Sequence, residues 1–134
     1  MNGSLRLENV TMTRKKILLV DDSNTVLLMH RMMLSGGGYE LLIARNGVEA
    51  VDLALRERPD LIFMDVVMPQ MDGLQACRRI RASPEMHATP IIMVTTRGEP
   101  HSVQAGYESG CTEYITKPFD KGDLLQKLRQ HLGE

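Results

Sequence analysis

Five short strand-like segments alternate with five segments of helical periodicity along this chain of 134 residues. The strand-like segments are residues 17–20, 39–44, 61–64, 90–94 and 113–116. Strands that are joined through helices run parallel, and their crossovers are right-handed. A run that is apolar throughout, such as residues 17–20, is typical of a strand buried on both faces. The alternation predicts an α/β fold of three layers, with helices on both faces of a doubly wound, five-stranded parallel sheet.

The composition limits the classes of function open to the chain. The formal net charge is −1, with 25% charged residues, so no global charge attracts nucleic acid or an anionic membrane. No apolar run approaches the roughly 20 residues that span a bilayer, and the N-terminus lacks the apolar core of a signal peptide. Cys77 and Cys111 lack CxxC spacing, and we interpret both as reduced thiols. We expect a cytoplasmic protein.

No linker, repeat or low-complexity tract divides the chain. Its length suits one domain with a single core, which we place at residues 15–134. Residues 1–14 are expected to form a short N-terminal extension that could be disordered, with an alternative start at Met12. The fifth helical segment runs to the end of the sequence, so we expect no attached effector domain.

The helical segments carry further predictions. In the first, Val26, Met29 and Met33 share one face, which we expect to be buried. The chain's histidines show no metal-ligand spacing, so we expect His30 and the other three at the surface. Gly106 falls within the fourth helical segment and is expected to weaken it, which would lower the cost of a conformational switch.

Four of the strand-like segments end in polar residues. Asp21 and Asp22 follow the first, Asp65 the third, Thr95 the fourth and Lys117 the fifth. In an open parallel sheet, ligands bind outside the carboxyl ends of the strands, where the strand order reverses. Residues that are far apart in sequence are therefore predicted to meet in one pocket at that edge.

The chemistry of such a pocket favours phosphoryl transfer. Crowded carboxylates repel one another, and one of them tends to protonate unless a cation relieves the conflict. Mg²⁺ is suited to this role because it takes a few carboxylate oxygens and keeps water and phosphate oxygens as other ligands. Lys117 adds a second positive charge and Thr95 a hydroxyl donor. Together these groups suit attack of an aspartate carboxylate on phosphorus.

These residues, in this order and with Met68-Pro69 and Asp72-Gly73 behind Asp65 and Pro118-Phe119 behind Lys117, resemble a known family. The chain is similar to the receiver domain of bacterial two-component response regulators, in particular the single-domain, CheY-like type. The resemblance covers residues 16–132. It implies a flavodoxin-like strand order, 2-1-3-4-5, for the predicted sheet.

The resemblance also implies a role for each acidic residue. Asp65 would be the phosphoacceptor and a ligand of Mg²⁺. Asp22 would bind the metal directly, and Asp21 would hold it through water. The backbone carbonyl of Val67 would be the third protein ligand.

The remaining site residues would couple phosphorylation to a change of shape. Lys117 would contact the phosphoryl group, and the Lys117–Pro118 peptide would be cis. Thr95 would be the switch hydroxyl that moves towards the phosphoryl group, and Tyr114 the aromatic residue that swings inward with it. The face formed by the fourth helix, fifth strand and fifth helix would then select protein partners.

The implied function is that of a stand-alone receiver in a two-component phosphorelay. A sensor histidine kinase or a histidine phosphotransfer protein would donate the phosphoryl group, and an unknown downstream protein, rather than nucleic acid or membrane, would receive the signal. The protein would be no enzyme beyond catalysing its own phosphorylation and dephosphorylation. Val67 is apolar and Arg97 basic at positions that tune dephosphorylation in this family, so the lifetime of the phosphorylated state stays open in either direction.

Three other functions are alternatives to this one. A phosphatase with an aspartyl-phosphate intermediate usually needs an acid two residues after its nucleophile, where this chain has Val67. A flavin carrier of flavodoxin-like fold needs a loop that accepts phosphate, but Asp21-Asp22 would repel one. A phosphorylation-independent adaptor is disfavoured by the intact acidic residues but stays open.

Overall fold

A computed structural model describes residues 14–95 and 100–133 of the chain, with residues 100–103 described by their backbone alone. The strands are β1 Lys16–Val20, β2 Glu40–Ala44, β3 Leu61–Asp65, β4 Ile91–Thr95 and β5 Glu113–Thr116. The helices are α1 Asn24–Leu34, α2 Gly47–Glu57, α3 Gly73–Arg81, α4 Pro100–Glu108 and α5 Lys121–Leu132, with a 3-10 turn at Pro84–Met86. Except for Arg14, the predicted extension lies outside the described residues, and so does Arg97.

The five strands form one parallel sheet in the order β2-β1-β3-β4-β5. This confirms the predicted three-layer fold and its strand order. Alternate side chains of the central strands point to opposite faces of the sheet. On one face Ile17 and Leu19 pack with the buried residues of α1 and α5. On the other face Leu18 and Val20 pack with those of α2 and α3.

Side-chain caps start the helices soon after the strands end. Ser23 accepts a hydrogen bond from the backbone of Val26 at the start of α1, and Asn46 caps α2 in the same way. Asp72 forms a reciprocal capping box with Gln75 at the start of α3. These caps fix where the chain turns away from the sheet, and so they define the edge at which the polar residues collect.

The predicted inner face of α1 is partly correct, because Val26 and Met33 are half-buried and Met33 packs against the core, but Met29 is misplaced. The residues that α1 buries are Leu27, His30 and Leu34. Met29, predicted to be inward, is 50% exposed. Both stripes of α1 are rich in large apolar residues, so periodicity alone did not distinguish them. The choice is made by packing against α5 and the residues before it.

Among the described residues, no helix is both long enough and apolar enough to cross a membrane. Cys77 and Cys111 are free and buried, as expected of reduced thiols.

Candidate functional site

Three carboxylates meet at the carboxyl edge of the sheet. Asp21 and Asp22 follow β1, and Asp65 is the last residue of β3, which is the neighbour of β1. One carboxylate oxygen from each lies within 4.8 Å of the others. Asp21 and Asp65 are buried, with exposures of 2% and 8%, whereas Asp22 is exposed. The backbone N–H of Ser23 donates to Asp21 at 2.9 Å and fixes its orientation.

Lys117 brings a positive charge to the same edge from the loop after β5. Its Nζ donates to Oδ2 of Asp21 at 2.8 Å and lies 3.6 Å from Oδ1 of Asp65. Its backbone N–H donates to the carbonyl of Thr95 at 2.6 Å, which ties this loop to the end of β4. The Lys117–Pro118 peptide is cis. Burial alone would lower the pKa of the Lys117 ammonium, but its hydrogen bond to Asp21 and the charge of Asp65 outweigh burial and raise the pKa.

The crowding has an electrostatic consequence at Asp65. Burial, together with the negative charge of Asp21, raises the pKa of Asp65 from 3.8 to about 6, although Lys117 opposes this rise. The three carboxylates thus carry more negative charge than one ammonium balances. A cation that accepts hard oxygen ligands would relieve the excess charge, and the donor set is one that suits Mg²⁺. The residues present therefore fit a divalent metal.

Thr95 and Tyr114 occupy different depths around this site. Thr95 is the last residue of β4 and is half-buried next to the loop of Lys117. Tyr114 lies further back on β5, where its ring is 5.9 Å from that of Tyr107 on α4. Burial, with smaller effects of Cys111 and Tyr107, raises the pKa of the Tyr114 hydroxyl to about 12, so it stays protonated at neutral pH. Tyr114 thus packs beside α4, and its role as a switch residue stays a prediction.

Gly106 explains how that ring fits. A Cβ added to Gly106 would overlap the ring atoms of Tyr114. The glycine that was expected to loosen α4 therefore also makes room for the tyrosine against the helix backbone. This contact is specific to the pair and gave no signal in the sequence.

Two glycines hold the loop between Asp65 and α3. A Cβ added to Gly73 would overlap the backbone oxygen of Asp65, and the N–H of Gly73 donates to the carbonyl of Val66 at 2.8 Å. A Cβ added to Gly47, the first residue of α2, would overlap the backbone oxygen of Met71. Both helix starts therefore approach the loop too closely for any larger residue.

Val67 lies within this loop, two residues after Asp65. Its side chain is 78% exposed. The loop also contains Gln70, whose φ of 69° lies in the left-handed region that favours glycine. The exposed surface beside the site is thus apolar at Val67, and the backbone of this loop is held by its close contacts with Gly47 and Gly73.

His30, which was expected at the surface, is a buried neighbour of the site. It is only 7% exposed, and its ring stacks on that of Phe119 with centroids 5.0 Å apart. Burial lowers the pKa of His30. The spacing of His30 from the buried residues Leu27 and Leu34 follows a helical period, and that was the available signal. The ring and Lys117 both line a cavity of about 150 Å³ between α1 and the loop after β5.

Comparisons with known proteins agree with this geometry. Residues 17–129 match the family model described as the response regulator receiver domain. The response regulator MprA of Mycobacterium sp. (strain KMS) is 40% identical over 114 residues, which are 85% of this chain and 49% of that protein. The chain thus spans about half the length of the curated relatives it matches.

Solved structures give the same result. The chemotaxis protein CheY4 of Vibrio cholerae is 36% identical, with a TM-score of 0.84 over 89% of this chain and 99% of that one. The receiver domain of the sensor histidine kinase PA1611 of Pseudomonas aeruginosa PAO1 is 32% identical, with a TM-score of 0.85 over 91% of this chain and 100% of that one. The latter was solved with a magnesium ion coordinated in its active-site cleft.

Proposed function

This chain belongs to the receiver-domain family of two-component response regulators, and on that premise we propose that it is a switch controlled by phosphorylation of Asp65. The family's members are signalling phosphoacceptors and bind Mg²⁺ in an acidic site. The observation that carries the proposal for this chain is the cluster of Asp21, Asp22 and Asp65 around the ammonium of Lys117. A sensor histidine kinase or a histidine phosphotransfer protein supplies the phosphoryl group.

Four residues would hold the metal. Asp22 and Asp65 would be the direct carboxylate ligands, the backbone carbonyl of Val67 would be the third protein ligand, and Asp21 would act through water. When bound, Mg²⁺ neutralises the crowded carboxylates and the charge that develops on the phosphoryl oxygens. The exposure of Asp22 and the burial of Asp21 agree with this division, because the more accessible carboxylate can reach an ion that keeps several waters.

The chemical step needs little else from the protein. A carboxylate oxygen of Asp65 attacks phosphorus as the bond between phosphorus and the donor's imidazole nitrogen breaks, and the imidazole leaves. Lys117 turns its ammonium from Asp65 to the new phosphoryl oxygens while Asp21 continues to hold it. Thr95, at the end of the neighbouring strand, donates its hydroxyl to the same group.

The output is a change in the face formed by α4, β5 and α5. Tyr114 packs against Gly106 and Tyr107 of α4, and in the proposed switch it swings inward as Thr95 moves, which alters its contact with that helix. The receiver unit is residues 15–134, acting as a stand-alone protein that signals to another protein rather than to nucleic acid or membrane. The buried, free thiols suit a reducing compartment, and the proposal places the protein in the cytoplasm.

Intact mass spectrometry after incubation with Mg²⁺ and acetyl phosphate tests the proposal. We expect one added phosphoryl group, which is absent without Mg²⁺ and absent in Asp65→Asn. Asp52→Asn, which alters an exposed carboxylate on α2, is the matched control and should be modified like the wild type. If the wild type binds Mg²⁺ but gains no phosphoryl group and forms no beryllofluoride complex, the chain is a phosphorylation-independent adaptor.

A further inference from the structure

Strand β2 forms one edge of the sheet, and its outward backbone groups have a regular order. The N–H of Glu40 donates to Lys15 at 2.9 Å, and the carbonyl of Ala44 accepts from Asp21 at 3.1 Å. In a parallel pair every second residue directs both backbone groups to its neighbour. Hence Leu41 and Ile43 direct their N–H and C=O groups away from β1, where the described part of the chain provides no further strand.

This edge lacks the features that usually protect one. Between Glu40 and Arg45 the strand has no charged residue and no proline, and its register with β1 has no bulge. On the adjacent helix α1, Leu28 and Met32 are 54% and 64% exposed, and their spacing of four residues puts them on one side. A groove of about 350 Å³ lies between this part of α1 and β2, and Leu41 is among the residues that line it. We call Leu28, Met32, Leu41 and Ile43 the β2 edge patch.

We propose that the β2 edge patch binds a second copy of this chain, by antiparallel pairing of β2 with itself about a two-fold axis at Leu42. In this register Leu41 of one copy lies opposite Ile43 of the other. Both residues direct their backbone groups outward, so each pair exchanges two hydrogen bonds and the edge forms four. The two-fold axis puts the same face of the sheet on the same side in both copies, so Leu28 and Met32 of the two α1 helices approach one another. Ten strands then form one sheet.

The second copy is the favoured occupant because the patch is self-complementary. A two-fold contact uses the same residues on both chains, and here outward backbone groups meet only outward backbone groups. Glu40 lies opposite Ala44 of the other copy, so no like charges face each other within the strand pair. Arg31 is the charged residue among those that line the groove. Its repulsion from Arg31 of the other copy implies that added salt strengthens the association.

Sedimentation equilibrium of the unphosphorylated protein tests the association. The proposed contact consists of four backbone hydrogen bonds and the apolar residues of the β2 edge patch, so we expect a dissociation constant on the order of 100 µM. Met32→Lys should weaken association at least tenfold. The matched control is Tyr107→Lys, because Tyr107 is 49% exposed on α4, at the opposite end of the sheet. Tyr107→Lys should leave the dissociation constant unchanged.

Three results would overturn the proposal. The first is a wild-type protein that stays monomeric up to about 1 mM, well above the expected dissociation constant. The second is dissociation by Tyr107→Lys but not by Met32→Lys, which would place the interface at α4. The third is a dimer that forms only after residues 1–13 are deleted, which would mean that this segment, and not a second copy, binds the β2 edge.

Cysteine cross-linking tests the register independently of affinity. Residue 42 of each copy forms a pair without hydrogen bonds, with Cα atoms about 4.5 Å apart, within the range of about 4.4–6.8 Å that a disulfide needs. Leu42→Cys should therefore give a covalent dimer with oxidised glutathione. Glu40→Cys should not, because the two copies of residue 40 lie about 13 Å apart. The native thiols are buried and give little background. Equal cross-linking of both variants, or none, refutes the register.

Discussion

Replacing Asp65 with asparagine should stabilise the metal-free protein at neutral pH. In the folded protein, burial and the charge of Asp21 raise the pKa of Asp65 from 3.8 to about 6, against the attraction of Lys117. The ionised carboxylate is therefore disfavoured by folding, while its neutral form fits the site. Asparagine has the shape of the neutral form and no charge, so it removes the penalty and keeps most of the packing.

The size and sign of the effect follow from the pKa. A rise from 3.8 to about 6 corresponds to about 3 kcal/mol at about 1.4 kcal/mol per pH unit. We expect a gain of about 1–3 kcal/mol, because the asparagine amide does not reproduce every hydrogen bond of the protonated carboxyl. Between pH 3.8 and about 6 the folded state binds more protons than the unfolded state. Wild-type stability therefore falls as pH rises through this window, and the gain in Asp65→Asn appears over the same window.

Urea denaturation followed by circular dichroism measures this directly. Wild type and Asp65→Asn are compared in EDTA at a series of pH values from about 4 to 8, which brackets the titration. Asp52→Asn, at an exposed position of α2, should show no such gain. An Asp65→Asn protein no more stable than wild type at pH 7.5, or a difference independent of pH, would refute the electrostatic account. Adding Mg²⁺ should reverse the order by stabilising wild type more than the variant.

Three further predictions follow from the backbone and from α5. Gly73→Ala should lower the free energy of unfolding by about 2–4 kcal/mol and weaken Mg²⁺ binding measured by calorimetry, because its Cβ displaces the backbone oxygen of Asp65; an unchanged urea midpoint would contradict this. Gln70→Gly should raise stability by up to about 1 kcal/mol in the same assay, because the φ of Gln70 is 69°, and a destabilised variant would be inconsistent with that strain. Burial raises the pKa of Glu113, but its hydrogen bonds with Lys127 and His131 of α5 outweigh burial, so the pKa is lowered. Glu113→Gln should therefore lower the free energy of unfolding by on the order of 1 kcal/mol at pH 7. This loss should become smaller as the pH falls below 4.5, the ordinary pKa of a glutamate. An equal loss at pH 3.5 would argue against the ion pairs.

Periodicity and the ends of strand-like runs predicted the fold and the meeting of Asp21, Asp65 and Lys117 at one edge. These residues were identified because each directly follows or ends a predicted strand, and parallel strands end together. Strand order needed the family resemblance, since alternation alone allows several parallel topologies.

Contacts between distant side chains were not predictable in this way. Met29 was wrongly placed on the buried face of α1 because Met29 and Leu27 are both large apolar residues, and only packing against other elements separates them. His30 was expected at the surface because the histidines show no metal-ligand spacing, yet the structure buries it in a stack on Phe119. The fit of Tyr114 over Gly106 depends on how α4 lies against β5, which no local pattern contains.

The two glycines that hold the loop after Asp65 have a consequence for how this protein can diverge. Gly47 and Gly73 fix the loop through its backbone, while the side chain of Val67 between them is 78% exposed. Substitutions at position 67 can then alter the surroundings of Asp65 without disturbing the core or the helix starts. Mutation at the glycines, in contrast, affects folding and the site together. In the proposed switch, selection can then retune the timing through position 67 while the scaffold is inherited unchanged.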